Sequence, residues 1–171
     1  MDFYYFDTSV LAKAYIWEVG TEDVRKVLGQ LRAAPARARI ITSRVAFAEA
    51  MSAVSRREYA GELTPREATE IATRLQGDFA GPVLPYVVID AGSAIVHHAA
   101  DLARQHRLRA LDAIHLATGL AARFNTRGGI GFHFGSADQR LNRAAVSEGL
   151  AIFNPQSPLP SGILTRVAPP A

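Results

Sequence analysis

The chain has 171 residues, of which 49% are hydrophobic and 20% charged, the length and balance of a single globular domain able to bury a core without staples. It contains no cysteine, which excludes disulfide scaffolds, Cys-ligated zinc, iron–sulfur clusters and thiol nucleophiles. Basic residues exceed acidic ones by 19 to 16, for a net charge of +3, and only Lys13 and Lys26 are lysines. That limits any mechanism needing a catalytic lysine, and the mild excess suits a polyanionic partner without demanding one.

Phe3–Phe6 is a short aromatic run before Asp7 and predicts a buried first strand. Thr8-Ser9 opens a helical stretch through Trp17, broken at Gly20. The second helix runs from Thr21 to Leu31, with Thr21 as N-cap, Glu22 and Asp23 in its first turn, and Val24, Val27, Leu28 and Leu31 at helical spacing. Arg39–Thr42 predicts strand two, and Ser43 caps a helix to about Tyr59. Thr64-Pro65 with Glu67 has the form of a capping box, opening a helix to about Phe79 that Gly81-Pro82 ends. Pro85–Ile89 is the third strand, Ala91–His106 a helix, and Ala110–Phe124 a very apolar helix. Gly128-Gly129 form a turn, Ile130–Phe134 strand four, Asp138–Glu148 a helix, and Leu150–Phe153 strand five. The alternation predicts an α/β fold with a mostly parallel central sheet of about five strands.

From Asn154 onward the character changes. Five of the nine prolines, at 155, 158, 160, 169 and 170, fall in the last 17 residues, giving a body of 1–154 and a Pro-rich tail of 155–171 in extended conformation. The acidic, aromatic start lacks the basic region and apolar stretch of a signal peptide. No run reaches the roughly 18 consecutive apolar residues of a spanning helix, so a cytoplasmic, membrane-free protein is expected.

In an open parallel sheet, chemistry gathers at the carboxyl ends of the strands. Asp7 follows strand one, Asp138 follows strand four, and Asp112 opens the apolar helix. Each alone is explained by a helix cap or a helix dipole; together they stand where the topology can bring them to one place. Glu49 sits in Val45-Ala46-Phe47-Ala48-Glu49-Ala50-Met51, almost opposite the side shared by Phe47, Met51 and Val54. Periodicity leaves a solvated and a functional Glu49 equally open. Carboxylates gathered in a cleft lose solvation and repel one another unless a cation compensates. Oxygen donors select hard ions such as Mg²⁺ or Mn²⁺, which activate water and stabilise the attacking and leaving oxygens of a phosphodiester.

Phe6-Asp7-Thr8-Ser9 after the first strand, Glu49 in the third helix, Leu111-Asp112-Ala113-Ile114-His115-Leu116-Ala117, and Ser136-Ala137-Asp138-Gln139-Arg140-Leu141 together resemble the four acidic motifs of PIN-domain nucleases, nearest to the VapC-type toxins of toxin–antitoxin pairs. The resemblance spans residues 1 to about 154; its two later motifs are the specific ones, and the pattern is loosest around Glu49. It implies a PIN-like α/β/α sandwich and an endoribonuclease dependent on Mg²⁺ or Mn²⁺, acting as a toxin on an RNA substrate. It also implies frequent homodimers and a VapB-type antitoxin that masks the site. By the motifs, Asp7, Glu49, Asp112 and Asp138 are the catalytic acids, with Asp7, Asp112 and Asp138 holding the main ion and Glu49 helping through water or a second ion. Ser136 supports the fourth acid and Ser9 the first. The Pro-rich tail lies outside the pattern.

Other constellations carry less. His115 lies one helical turn after Asp112, and no other histidine has the spacing to complete a zinc or iron site with it; a partly buried supporting residue near the cleft is expected. The glycines around 128–131 precede a strand, so they are not a phosphate loop. Arg107, Arg109, Arg140 and Arg143 flank the later acids and either guide phosphates or are simply solvated. Two other readings remain open. One is a phosphatase or other hydrolase with an Asp nucleophile, although Ser9 stands where a second Asp is wanted and neither lysine follows a late strand. The other is a non-catalytic RNA-binding module with a nuclease-like fold.

Overall fold

The computed structural model describes residues 2–33, 38–80, 86–126 and 131–157. Five strands, β1 (Asp2–Phe6), β2 (Ala38–Ser43), β3 (Tyr86–Ile89), β4 (Phe132–Gly135) and β5 (Ala151–Phe153), form one parallel sheet in the order β3-β2-β1-β4-β5. Between them run α1 (Thr8–Leu11), a 3₁₀ turn (Ala12–Ala14), α2 (Thr21–Ala33), α3 (Arg44–Tyr59), α4 (Pro65–Ala80), α5 (Ser93–His106), α6 (Ala110–Asn125) and α7 (Gln139–Ser147). Among the described residues no helix is long and apolar enough to cross a membrane.

The central strand β1 sends alternate side chains to opposite faces, as the two-residue period requires. Tyr4 and Phe6 enter one core with residues of α1 to α4, including Val10, Val24, Val54 and Leu75. Tyr5 enters the other with Leu102, Leu116, Phe134 and Leu141 from α5, α6, β4 and α7. Two helical layers thus sandwich the sheet, the expected α/β/α architecture. Close approach of α6 to the sheet depends on Gly119: a Cβ there would stand 2.7 Å from two ring carbons of Phe134. The chain runs outward from β1 through β2 to β3, then returns to place β4 on the other side of β1. The β1/β4 boundary is therefore the switch point of the sheet, where open α/β folds leave a crevice at the strand ends. Phe6 registers with Gly135 there, so the segments leaving β1 and β4 meet in that crevice.

The predicted elements are all present where the structure describes them, with shifted bounds. The first helix does not run to Trp17. It has four α-helical residues, tightens to the 3₁₀ turn, and bends away at Tyr15. Thr21 is not an N-cap: its buried Oγ1 accepts from Glu18 N at 2.8 Å and reaches Ile16 O at 3.2 Å, holding the preceding loop instead. Ser43 occupies the cap position of α3 but its side chain makes no capping bond. The capping box forms, with Thr64 N donating to Glu67 Oε2 at 2.8 Å and Glu67 N to Thr64 Oγ1 at 3.3 Å. Helix α5 begins at Ser93 rather than Ala91, after Gly92. The Gly81-Pro82 stop, Pro85, the Leu31 side chain, the Gly128-Gly129 turn, Ile130 and the tail beyond Ser157 lie outside the described residues.

Candidate active site

Asp7 ends β1 and caps α1. Its extended backbone aims Oδ1 at the first turn, where it accepts from Val10 N at 3.0 Å and from the Ser9 hydroxyl at 2.7 Å. Ser9 Oγ itself accepts from Ala137 N at 2.8 Å, tying the end of β1 to the loop after β4. In that loop the buried Ser136 Oγ accepts from Asp138 N at 3.0 Å, and Asp138 Oδ1 caps α7 by accepting from Leu141 N at 2.8 Å. Each of the two hydroxyls, Ser9 and Ser136, thus holds the backbone or side chain of an acid-bearing turn. Asn142 holds the same loop from α7, donating to Ser136 O at 3.0 Å.

Asp112 stands in the first turn of α6, half-buried. Burial pushes its carboxyl above the usual range, the charges of Asp138 and Asp7 push it further, and His115 and Arg109 offset only part of this. Burial likewise raises Asp7, against the pull of His115, Ser136, Ser9 and the Val10 N–H. Asp112 thus feels the charges of both Asp7 and Asp138 across the end of the sheet.

Glu49 belongs to a different arrangement. The buried stripe of α3 is Ala46, Ala50 and Val54, which turns Glu49 toward α1 and α6. Its Oε2 accepts from the Thr8 hydroxyl at 2.5 Å and meets His115 Nε2 at 2.7 Å. Thr8 Oγ1 also lies 3.1 Å from that nitrogen. Burial raises the Glu49 carboxyl, but the hydrogen bonds from His115 and Thr8 outweigh it and the net shift is downward. His115 is not partly buried as expected: it is 2% exposed and engaged at both ring nitrogens, with Tyr5 Oη 2.8 Å from Nδ1. It touches Glu49 rather than the cleft surface.

The acids fit a hard divalent cation in donor type and in charge, since oxygen donors that repel one another gain most from such an ion. They are not drawn into a finished cage: among the described residues no group of three His, Asp or Glu side chains is set to hold a metal ion. The lysine wanted by an Asp-nucleophile hydrolase is not at this edge of the sheet. Lys13 pairs with Glu18, and Lys26 with Glu22 on α2. Of the flanking arginines, Arg109 acts on Asp112, while Arg140 and Arg143 are exposed on α7.

Sequence reasoning passed over Thr8, Tyr5 and Asn142. Thr8 had a signal, a hydroxyl between two motif residues at a strand end. Tyr5 had only the alternation that turns it from Tyr4 and Phe6, and Asn142 none.

The sequence matches the PIN domain family over residues 4–147. The ribonucleases VapC45 and VapC49 of Mycobacterium tuberculosis, from strains CDC 1551 / Oshkosh and H37Rv, are each 30% identical to it over 152 residues, covering 89% of this chain and 95% of theirs. Among solved structures, VapBC2 from Rickettsia felis, bound to a DNA fragment from its promoter, is similar at a TM-score of 0.60 and 11% identity, covering 89% of this chain and 98% of that one. PAE2754 from Pyrobaculum aerophilum also reaches 0.60, at 13% identity, covering 97% of this chain and 89% of that one. FitAB bound to a DNA fragment gives 0.58 at 16% identity, covering 90% and 96%. At these identities the structural likenesses speak for the fold.

Proposed function

The chain belongs to the PIN domain family, and on that premise we propose that it is a divalent-metal-dependent endoribonuclease acting as the toxin of a toxin–antitoxin pair. The observation that carries the reading is the setting of Asp112, half-buried at the start of α6 and pushed up by burial and then by the charges of Asp138 and Asp7, which His115 and Arg109 offset only in part. Asp7, Asp112 and Asp138 would hold Mg²⁺ or Mn²⁺. Such an ion, when bound, polarises a phosphodiester and makes water a better nucleophile at neutral pH. The chain's own part is to preorganise. Val10 N and Ser9 fix Asp7, Leu141 N fixes Asp138, Ser9 ties the end of β1 to the loop after β4, and Ser136 braces that loop internally. Glu49, kept ionised by Thr8 and His115, is the remaining acid able to accept a proton or orient a water beside the ion.

RNA as substrate and a VapB-type antitoxin as partner are supported by the VapC ribonucleases among the relatives and by the VapBC assembly among the structural neighbours. A homodimer and a cytoplasmic location complete the proposal. The nuclease domain is residues 1–154 and the Pro-rich 155–171 an appendage that chemistry does not need.

The test uses the purified chain free of partner. It should cleave a structured RNA with Mg²⁺ or Mn²⁺ and stop when chelator is added. Asp112→Asn and Asp138→Asn should each lower the rate by about 100-fold or more, the scale seen when one charge-stabilising group is removed. Metal-independent cleavage that survives Asp138→Asn overturns the reading.

A further inference from the structure

Tyr5 is fully buried in the central strand, its ring stacked on Phe134 at 5.1 Å between centroids and 9° between planes. Its hydroxyl lies 2.8 Å from His115 Nδ1, across 110 residues of sequence. The other nitrogen of that ring lies 2.7 Å from Glu49 Oε2. An ionised carboxylate only accepts, so Nε2 is the donor in that contact. In a singly protonated ring Nδ1 is then an acceptor, and Tyr5 is placed to supply the hydrogen. A tyrosine phenol is un-ionised at neutral pH, so it keeps that hydrogen to donate. The Thr118 hydroxyl beside it is already committed to Ile114 O at 2.7 Å.

We propose that Tyr5 is a positioning residue for the candidate site: by donating to His115 Nδ1 it fixes the imidazole as the Nε2–H tautomer, which with Thr8 holds the Glu49 carboxylate in place. The chain of contacts, Tyr5 to His115 to Glu49, links the middle of β1 to α6 and α3. An acid on a half-exposed helix face is thereby set by the central strand of the sheet. A free Glu side chain has several rotamers to choose from. One gripped by two donors has lost that freedom before substrate arrives, which is how a supporting shell contributes to catalysis. The effect on turnover rests on the nuclease reading; the tautomer does not.

The experiment has two readouts on the full chain. Long-range ¹H–¹⁵N correlation of labelled histidine, without added metal, reports the tautomer, and His115→Asn identifies the His115 signals among the five histidines. The wild type should show a protonated Nε2 and a bare Nδ1. Tyr5→Phe keeps the ring and its stacking, and should release His115 into mixed tautomers. Tyr15→Phe removes another buried phenol, one bonded to Asp78 and Tyr86, and should leave the His115 signals as in wild type. In RNA cleavage, Tyr5→Phe should lower kcat about 10-fold with KM nearly unchanged, the scale of lost supporting contacts. A wild-type ring protonated at Nδ1, or His115 signals unchanged in Tyr5→Phe, overturns the proposal, and the first of these needs no variant to fold. A changed tautomer with unchanged kcat overturns the positioning role. A wild type that cleaves no RNA with either ion overturns the nuclease reading and the claim on turnover with it, while the spectra still decide the tautomer.

Discussion

Helix α3 carries Glu49 in its first half and Arg57 in its last turn, and the two ends face opposite electrostatic settings. At the far end, Arg57 and the buried Lys13 both close on Glu18. Burial alone would raise the Glu18 carboxyl, but hydrogen bonds and charge from Lys13 and Arg57 bring it below its ordinary value. At the sheet edge, Asp112 is raised by burial and raised again by its acidic neighbours. The same physics, carboxylates taken partly out of water, has opposite signs because one group is matched by cations within the chain and the other is not. The first region is closed by the fold. The second is left open at a cost in stability, and that open charge is what the proposed cation would relieve.

The sharpest way to break the comparison is to remove the anion from the matched region. Glu18→Gln leaves Lys13 buried without its counter-charge, and should lower stability by about 2–3 kcal/mol, read as a lower urea midpoint at unchanged slope. The opposite change at the other region should have the opposite sign. Asp112→Asn relieves repulsion, so without divalent ions it should melt higher than wild type, by about 1 kcal/mol at most given partial solvent screening. Added Mg²⁺ should then stabilise the wild type by mass action and the variant much less. A lower melting temperature for the variant with an unchanged Mg²⁺ response would remove Asp112 from the site.

The pH dependence separates the two regions further. Glu18 has a folded-state pKa below its unfolded one, so its contribution is present above the unfolded value and lost as pH falls through the folded value. Asp112 and Asp7 have folded-state values above the unfolded ones, so the folded state holds protons more tightly and their term costs stability as pH rises through the carboxylate range. Across pH 3–7, then, the stability difference between wild type and Glu18→Gln should grow with pH, while Asp112→Asn should gain on wild type over the same range. Parallel curves for both variants would erase the distinction. The smallest expected effect is a surface control: Arg66→Ala, which removes an exposed pair with Glu70, should change stability by less than about 0.5 kcal/mol. A cut after Asn154 should cost more, because it removes the buried Pro155, whose carbonyl oxygen lies 2.5 Å from where a Cβ on Gly20 would stand.

Much of the fold and of the acid cluster is legible in the sequence, and the parts that are not share a cause. Apolar runs and capping residues mark the strands and most helices, because those signals are local. The candidate acids stand out only as a set and through the family resemblance, because each alone has the pattern of a helix cap or a surface carboxylate. The brevity of α1 is not legible, since it depends on the pairing of Lys13 with Glu18 and the packing of Tyr15 rather than on helix propensity. The facing of Glu49 is not either. On a helix whose buried stripe is alanine-rich, a wheel cannot tell water from a cleft. Tyr5 is least legible: a tyrosine inside an aromatic strand has the pattern of a core residue, and its partner is 110 positions away.

Asp7 and Asp138 each start a helix through Oδ1, a task that Asn, Ser or Thr performs about as well. A descendant of this chain that had lost its activity would still be held by folding to a capping side chain at both positions, and an acid there would be a comfortable relic. Asp112 caps nothing and accepts no hydrogen bond among the described residues, and its replacement is expected to stabilise the fold. On the proposed reading, decay would therefore erase Asp112 first, which makes position 112, rather than 7 or 138, the place to look when deciding whether a related chain still works.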